Sequence, residues 1–179
     1  MTVIASMASV LVGTVLAVAG VAEQPGAGPE RILPVQGGPV WIPAQNGAVP
    51  DGTYAQGQEG NGEFLYVCVA GAFNGRHLGK VRPGFSGCNF GYGGQEYTAE
   101  RYDVLVNNPG YWAAPAYPGA IPDNAWAFGS EADMTPLFLC LAPHNGGYQP
   151  GKIGARTGGC NIGYGGQELT LYDYQVYVY

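Results

Sequence analysis

The chain has two lysines, Lys80 and Lys152, and they stand 72 positions apart. Three pairs of acids keep the same spacing: Asp51 and Asp123, Glu59 and Glu131, Glu96 and Glu168. Arg76, Arg82, Arg101, Arg156, Glu63, Glu100, Asp103, Asp133 and Asp173 have no counterpart of like charge at that spacing. A carboxylate accepts hydroxyl donors and an ammonium donates to oxygen acceptors, so this one base and these three acids per repeat are the first candidates for a site. The plainer reading is an ion pair that holds a turn. At a surface that would contribute at most about 1 kcal/mol, a weak reason to survive twice.

Glu96 and Glu168 follow Gly-Gly-Gln in both places. A glycosidase would need such carboxylates about 5–10 Å apart across a groove. More simply, each fixes its glycine turn by accepting backbone N–H groups. Asn89 and Asn161 read as turn-fixing residues, and Tyr92 and Tyr164 either as a stacking face for a sugar or as packing for the turn. His77 and His144 do not share the 72-residue spacing, and no GxSxG or triad spacing occurs, so binding is expected and catalysis is not. The same mismatch of histidines and the lack of a CxxC pair leave no metal expected, and no cofactor loop of the GxxxxGK[ST] kind is present.

These residues are positioned by a duplication. A shift of 72 carries residues 65–107 onto 137–179 without a gap, matches all four cysteines and repeats the string GCNxGYGGQE. Phe64–Ala70 and Leu137–Ala142 read as strands running into turns at Asn74-Gly75 and Gly146-Gly147, and Tyr102–Val106 and Tyr174–Val178 as the closing strand of each unit. With 31 glycines, 14 prolines and 13 tyrosines, the composition suits short strands and tight turns. Four cysteines allow three pairings. Cys68–Cys88 and Cys140–Cys160 are favoured, because a duplicated unit inherits a bridge most simply when both partners lie inside it.

A net charge of −6 and scattered arginines exclude the counterion-displacing surface that nucleic acid requires. Residues 1–22 carry no charged side chain and end in small residues, which reads as a secretory signal peptide, with an uncleaved anchor as the alternative. Residues 23–39 read as a Pro/Gly-rich linker, 40–107 as the first repeat and 108–179 as the second. A secreted protein in an oxidising compartment is expected.

The ordered set of Trp41 or Trp112, Val49-Pro50-Asp51 or Ile121-Pro122-Asp123, LYVCVA or LFLCLA, Gly79-Lys80 or Pro150-Gly151-Lys152, GCNxGYGGQE and a YxV-type final strand resembles the DM9 repeat. The resemblance implies an all-β body of two pseudo-symmetric antiparallel repeats packed in a sandwich-like way. It also implies mannose-type glycan binding by an acid about eight positions past the Pro-Asp turn together with the lysine of the Gly-Lys motif, here Glu59 with Lys80 and Glu131 with Lys152. The alternative function is a secreted effector or structural protein that engages a protein or membrane surface without a sugar site. Glycans are the expected partners, membrane contact is not expected beyond them, and a homodimer is compatible with the sequence. Because Pro150 precedes Gly-Lys only in the second copy, that loop is expected to be the stiffer and its site the tighter, with both lysines exposed and inconsequential for stability.

Overall fold

The computed structural model describes residues 38–107 and 109–179. The signal peptide expected at 1–22, and the linker as far as residue 37, lie outside the described residues. Among the described residues fourteen strands occur, all antiparallel to their neighbours. The first half holds β1 (Val40–Gln45), β2 (Gly57–Gln58), β3 (Phe64–Ala72), β4 (Gly75–Val81), β5 (Cys88–Tyr92), β6 (Gln95–Ala99) and β7 (Arg101–Asn107). The second holds β8 (Tyr111–Ala113), β9 (Ala127–Ser130), β10 (Pro136–His144), β11 (Gly147–Ile153), β12 (Cys160–Tyr164), β13 (Gln167–Leu171) and β14 (Gln175–Val178).

The long hairpins β3–β4 and β10–β11 extend two residues further than their apolar runs suggest. Their turns fall one residue earlier than expected, at Phe73-Asn74 and Asn145-Gly146, where all four residues have positive φ (50°, 60°, 49° and 77°). A two-residue turn with both φ positive has the twist that antiparallel strands need, and Asn-Gly supplies it readily. Phe73 occupies the same position at a backbone cost that the site below explains.

The expected all-β, two-repeat body is realised as one continuous sheet that closes on itself. The strand order runs β1-β7-β3-β2-β11-β12-β13-β6-β5-β4-β9-β10-β14-β8, and β3–β4 and β10–β11 supply the closing pairings. Its halves exchange strands. Short β2 of the first repeat pairs with β11 of the second through Gln58 and Tyr148, and β9 of the second pairs with β4 of the first through Ser130 and Arg76. Closure of this kind removes most of the exposed edge that an open sheet of this size would present.

Two cores repeat the duplication. One surrounds Cys68–Cys88 with Ala70, Val81, Phe90, Tyr102 and Val104, the other surrounds Cys140–Cys160 with Ala142, Ile153, Ile162, Tyr174 and Val176. Both disulfides are formed in the favoured pairing, with Cα separations of 5.9 and 5.8 Å, and no cysteine is free. A third core joins the halves through Val67, Val69, Leu78 and Leu105 of the first and Leu139 and Tyr177 of the second, capped by Trp41, Trp112, Trp126 and Phe128.

Gly93-Gly94 and Gly165-Gly166, all at positive φ, turn β5 into β6 and β12 into β13. Glu168 accepts the Gly94 N–H at 3.0 Å and Glu96 accepts the Gly166 N–H at 2.8 Å, so each glutamate locks the turn of the other repeat. A Cβ on Gly91 would meet Glu168 Cγ at 2.7 Å, and one on Gly163 would meet Glu96 Cγ at 2.9 Å. The first glycine of GYGG therefore makes room for the opposing acid.

Candidate functional site

Both lysines lie on strands, Lys80 on β4 and Lys152 on β11, and both are 2% exposed. This corrects the expectation of exposed lysines on loops of different stiffness. Pro150 sits inside β11, held by its ladder position opposite Leu141, and a Cβ on Gly57 of β2 would meet its ring at 2.6 Å. Its ring packs the strand exchange and does not stiffen a presenting loop. The glycines before the lysines have a related reason: a Cβ on Gly79 would meet the Asn89 carbonyl oxygen at 2.1 Å, and one on Gly151 that of Asn161 at 2.4 Å.

Lys80 points between the repeats. Its ammonium donates to the Gln149 side-chain oxygen, stands 3.7 Å from Glu59 Oε1 and lies 4.6 Å from the centre of the Tyr164 ring. Gln149 completes the group by donating from Nε2 to Glu59 Oε2 at 2.9 Å. Burial lowers the Lys80 pKa below the ordinary lysine value, and the charges of Glu59 and Glu96 work against that shift. Above the group opens a cleft of about 680 Å³, whose wall includes Arg82, Asn89, Asn145 and Tyr164. Asn145 donates to the Tyr164 hydroxyl at 2.6 Å, and Arg82 pairs with Glu63 at 3.1 Å while covering the Phe85 ring at 4.5 Å.

Lys152 has a different setting. Its ammonium donates to the Gly91 carbonyl and pairs with Glu168 at 3.4 Å, 5.7 Å from the centre of the Tyr92 ring. Glu131 reaches it through its field alone, with no ion pair between them. Burial again lowers the lysine pKa, opposed by Glu168 and then Glu131. Where Gln149 bridges the first group, the repeat-related residue is His77, fully buried and stacked on Phe90 at 5.6 Å. Phe73 lies flat on Tyr92, 4.2 Å centre to centre and 5° from parallel. A hollow of only about 260 Å³ remains, lined by Tyr92, Glu131, Ala132, Asp133 and Arg156.

Chemically, the first group offers ammonium and amide donors, carboxylate acceptors and one aromatic face. Glu96 and Glu168, the pair a glycosidase would need, are each committed to an opposing glycine turn. Asn89 and Asn161 accept from Thr98 and Thr170 across their hairpins, the local fixing role expected of them.

The model of the DM9 repeat matches the chain twice, over residues 32–99 and 85–171. The chain belongs to the DM9 repeat family. No curated protein matches it in sequence. Among solved structures, the nematode sperm cell motility protein MFP2B shares its fold with a TM-score of 0.58 and 19% identity over 87% of this chain, which spans 49% of MFP2B. At that identity the likeness concerns the fold. The DM9 units of this chain are interlocked through β2 and β9, so each lysine of a DM9 unit meets residues of the other unit.

Retention in both copies singled out Glu59, Lys80, Glu131 and Lys152, and passed over Gln149, Asn145, His77 and Phe73. The signal was present in the sequence as the opposite of retention. Lying 72 positions apart, Phe73 matches Asn145 and His77 matches Gln149, and these substitutions separate the two DM9 settings.

His77 also predicts a pH dependence. Burial, and secondarily the charge of Lys152, lowers its pKa from 6.5 to about 4, opposed by the Ala72 backbone and then by Glu168. Between those values the unfolded chain binds a proton that the folded chain refuses, so stability falls as pH falls through that window. The full loss is on the order of 3 kcal/mol. Thermal melts from pH 7 to pH 4 should show the wild type losing more than His77→Gln by roughly that amount. Parallel curves would mean that His77 takes up its proton without cost in the fold.

Proposed function

We propose that the protein binds carbohydrate in the cleft above Lys80, with neutral, mannose-type glycans as the ligand class and the exterior of the cell as its place of work. The observation that carries this reading is the Lys80–Gln149–Glu59 group at the foot of an open cleft beside the Tyr164 ring. Adjacent sugar hydroxyls each donate and accept, which suits a carboxylate and an ammonium side by side, while the apolar face of a pyranose suits an aromatic ring. The charged groups are held by each other before any ligand arrives, so little side-chain order is lost on binding. Glu59, Glu63 and Glu96 outnumber Lys80 and Arg82 in the lining, which disfavours anionic sugars. Two buried disulfides support synthesis in an oxidising compartment.

Glycan-array binding by the oxidised protein tests the reading. Mannose-terminated glycans should be retained and sialylated ones not. Glu59→Gln keeps the shape of the group and removes its negative charge, so affinity should drop at least about tenfold, equivalent to about 1.4 kcal/mol. A melting curve of the variant shows that the fold survives. An array without signal from the folded wild type would end the proposal.

A further inference from the structure

We infer that the chain carries one sugar site, and that Phe73 and His77 have closed the repeat-related second one. This inference rests on the carbohydrate reading of the Lys80 cleft and specifies its valence. Three independent features agree. The first is space: about 680 Å³ stands open above Lys80 and about 260 Å³ beside Glu131. The second is the aromatic face. Tyr164, held by Asn145 through its hydroxyl and flanked edge-to-face by His144 at 4.6 Å, lines the open cleft, whereas Tyr92 is covered by the parallel ring of Phe73. The third is the polar group itself. Gln149 links Lys80 to Glu59, whereas His77 in the equivalent place is stacked on Phe90 and makes no such link.

Phe73, 43% exposed, caps the aromatic cluster from the solvent side. Its φ of 50° belongs to the left-handed region, where Asn is at ease and a bulky aromatic is an outlier. The ring also contacts His77, Phe90 and Tyr97 edge-on, at 6.3, 6.5 and 4.9 Å. The repeat-related partners Asn145, Gln149, Ile162 and Leu169 cannot form such a cluster. The first repeat thus fills with aromatic rings the space that the second repeat leaves open. Binding by a single chain is monovalent, and avidity has to come from linking chains.

The experiment is an amide-resolved NMR titration of the oxidised protein with mannobiose. In the wild type, shifts should saturate at Glu59, Lys80 and Tyr164 and be absent at Glu131, Lys152 and Tyr92. Phe73→Asn with His77→Gln copies the residues of the first cleft into the second, and a second saturating set should appear there. That new set should persist when Glu59→Gln is added and the first set is lost. Should the double variant lose its dispersed spectrum, Phe73→Asn alone, whose backbone position suits asparagine, should still give shifts at Tyr92. Titration of the Glu131, Lys152 and Tyr92 amides in the wild type would overturn the single-site inference and leave the carbohydrate reading standing. So would silence of those amides in a folded double variant, or in Phe73→Asn where that is the variant that folds. No shifts at either cleft in any protein would overturn both.

Discussion

Lys152→Ala is expected to lower the melting temperature by roughly 10–20 °C, corresponding to a loss of about 3–5 kcal/mol. The ammonium is 2% exposed, and its removal takes the donor from the Gly91 carbonyl and the counter-charge from Glu168, whose side chain is itself only 11% exposed. An uncompensated buried carboxylate is the larger part of the cost, and the emptied volume adds to it. Lys152→Met, which refills the volume, should recover a minor share. Adding Glu168→Gln to it should recover most, because the double change removes both charges together. The wide-open Arg156–Asp133 pair, with side chains 70% and 49% exposed, provides the contrast: Arg156→Ala should shift the midpoint hardly at all. If Lys152→Ala melts with the wild type, the lysine does not hold the fold and its burial needs another explanation.

Removing both disulfides should bring the fold close to unfolding at room temperature. Each bridge spans 20 residues of sequence, and closing a loop of that length restrains the unfolded chain by about 3 kcal/mol, so the pair together contributes about 6 kcal/mol. The total stability of a domain is only about 5–15 kcal/mol. Cys68→Ala/Cys88→Ala and Cys140→Ala/Cys160→Ala should cost similar amounts, since each bridge lies at the centre of an equivalent core and all four cysteines are fully buried. Urea titrations of the two paired variants and the quadruple variant measure this. A quadruple variant with the wild-type midpoint would show that the cores alone suffice. Burial also implies that mild reductant attacks the folded protein slowly, at the rate at which the chain opens.

Much of the fold was legible because the chain states it twice. The matched cysteines, the apolar runs of β3 and β10, the near-alternation of apolar residues in β7 and β14, and the glycine turns of β5–β6 and β12–β13 are local patterns that survive in both copies, and they lead to an all-β body with one bridge per repeat. The coincidence of Glu59 with Glu131 and of Lys80 with Lys152 likewise pointed to a charged group. What misled was the assumption that equal sequence means equal surroundings. Glu59 does pair with Lys80, but Lys152 pairs with Glu168, because the residue that would bridge it to Glu131 is a histidine stacked on Phe90.

By itself the sequence determined the repeat, the strand class, the favoured disulfide pairing and which charges the two copies share. Only the tertiary structure decided which charges meet. Lys80 and Gln149 are 69 residues apart in the chain, and Gln149 and Glu59 are 90 apart, yet they form one hydrogen-bonded group. They are brought together by the pairing of Gln58 with Tyr148, a two-residue strand placed against the other repeat. Strand exchange of this kind depends on which closure of the sheet buries most surface and satisfies most backbone groups, a property of the whole body that no local window contains.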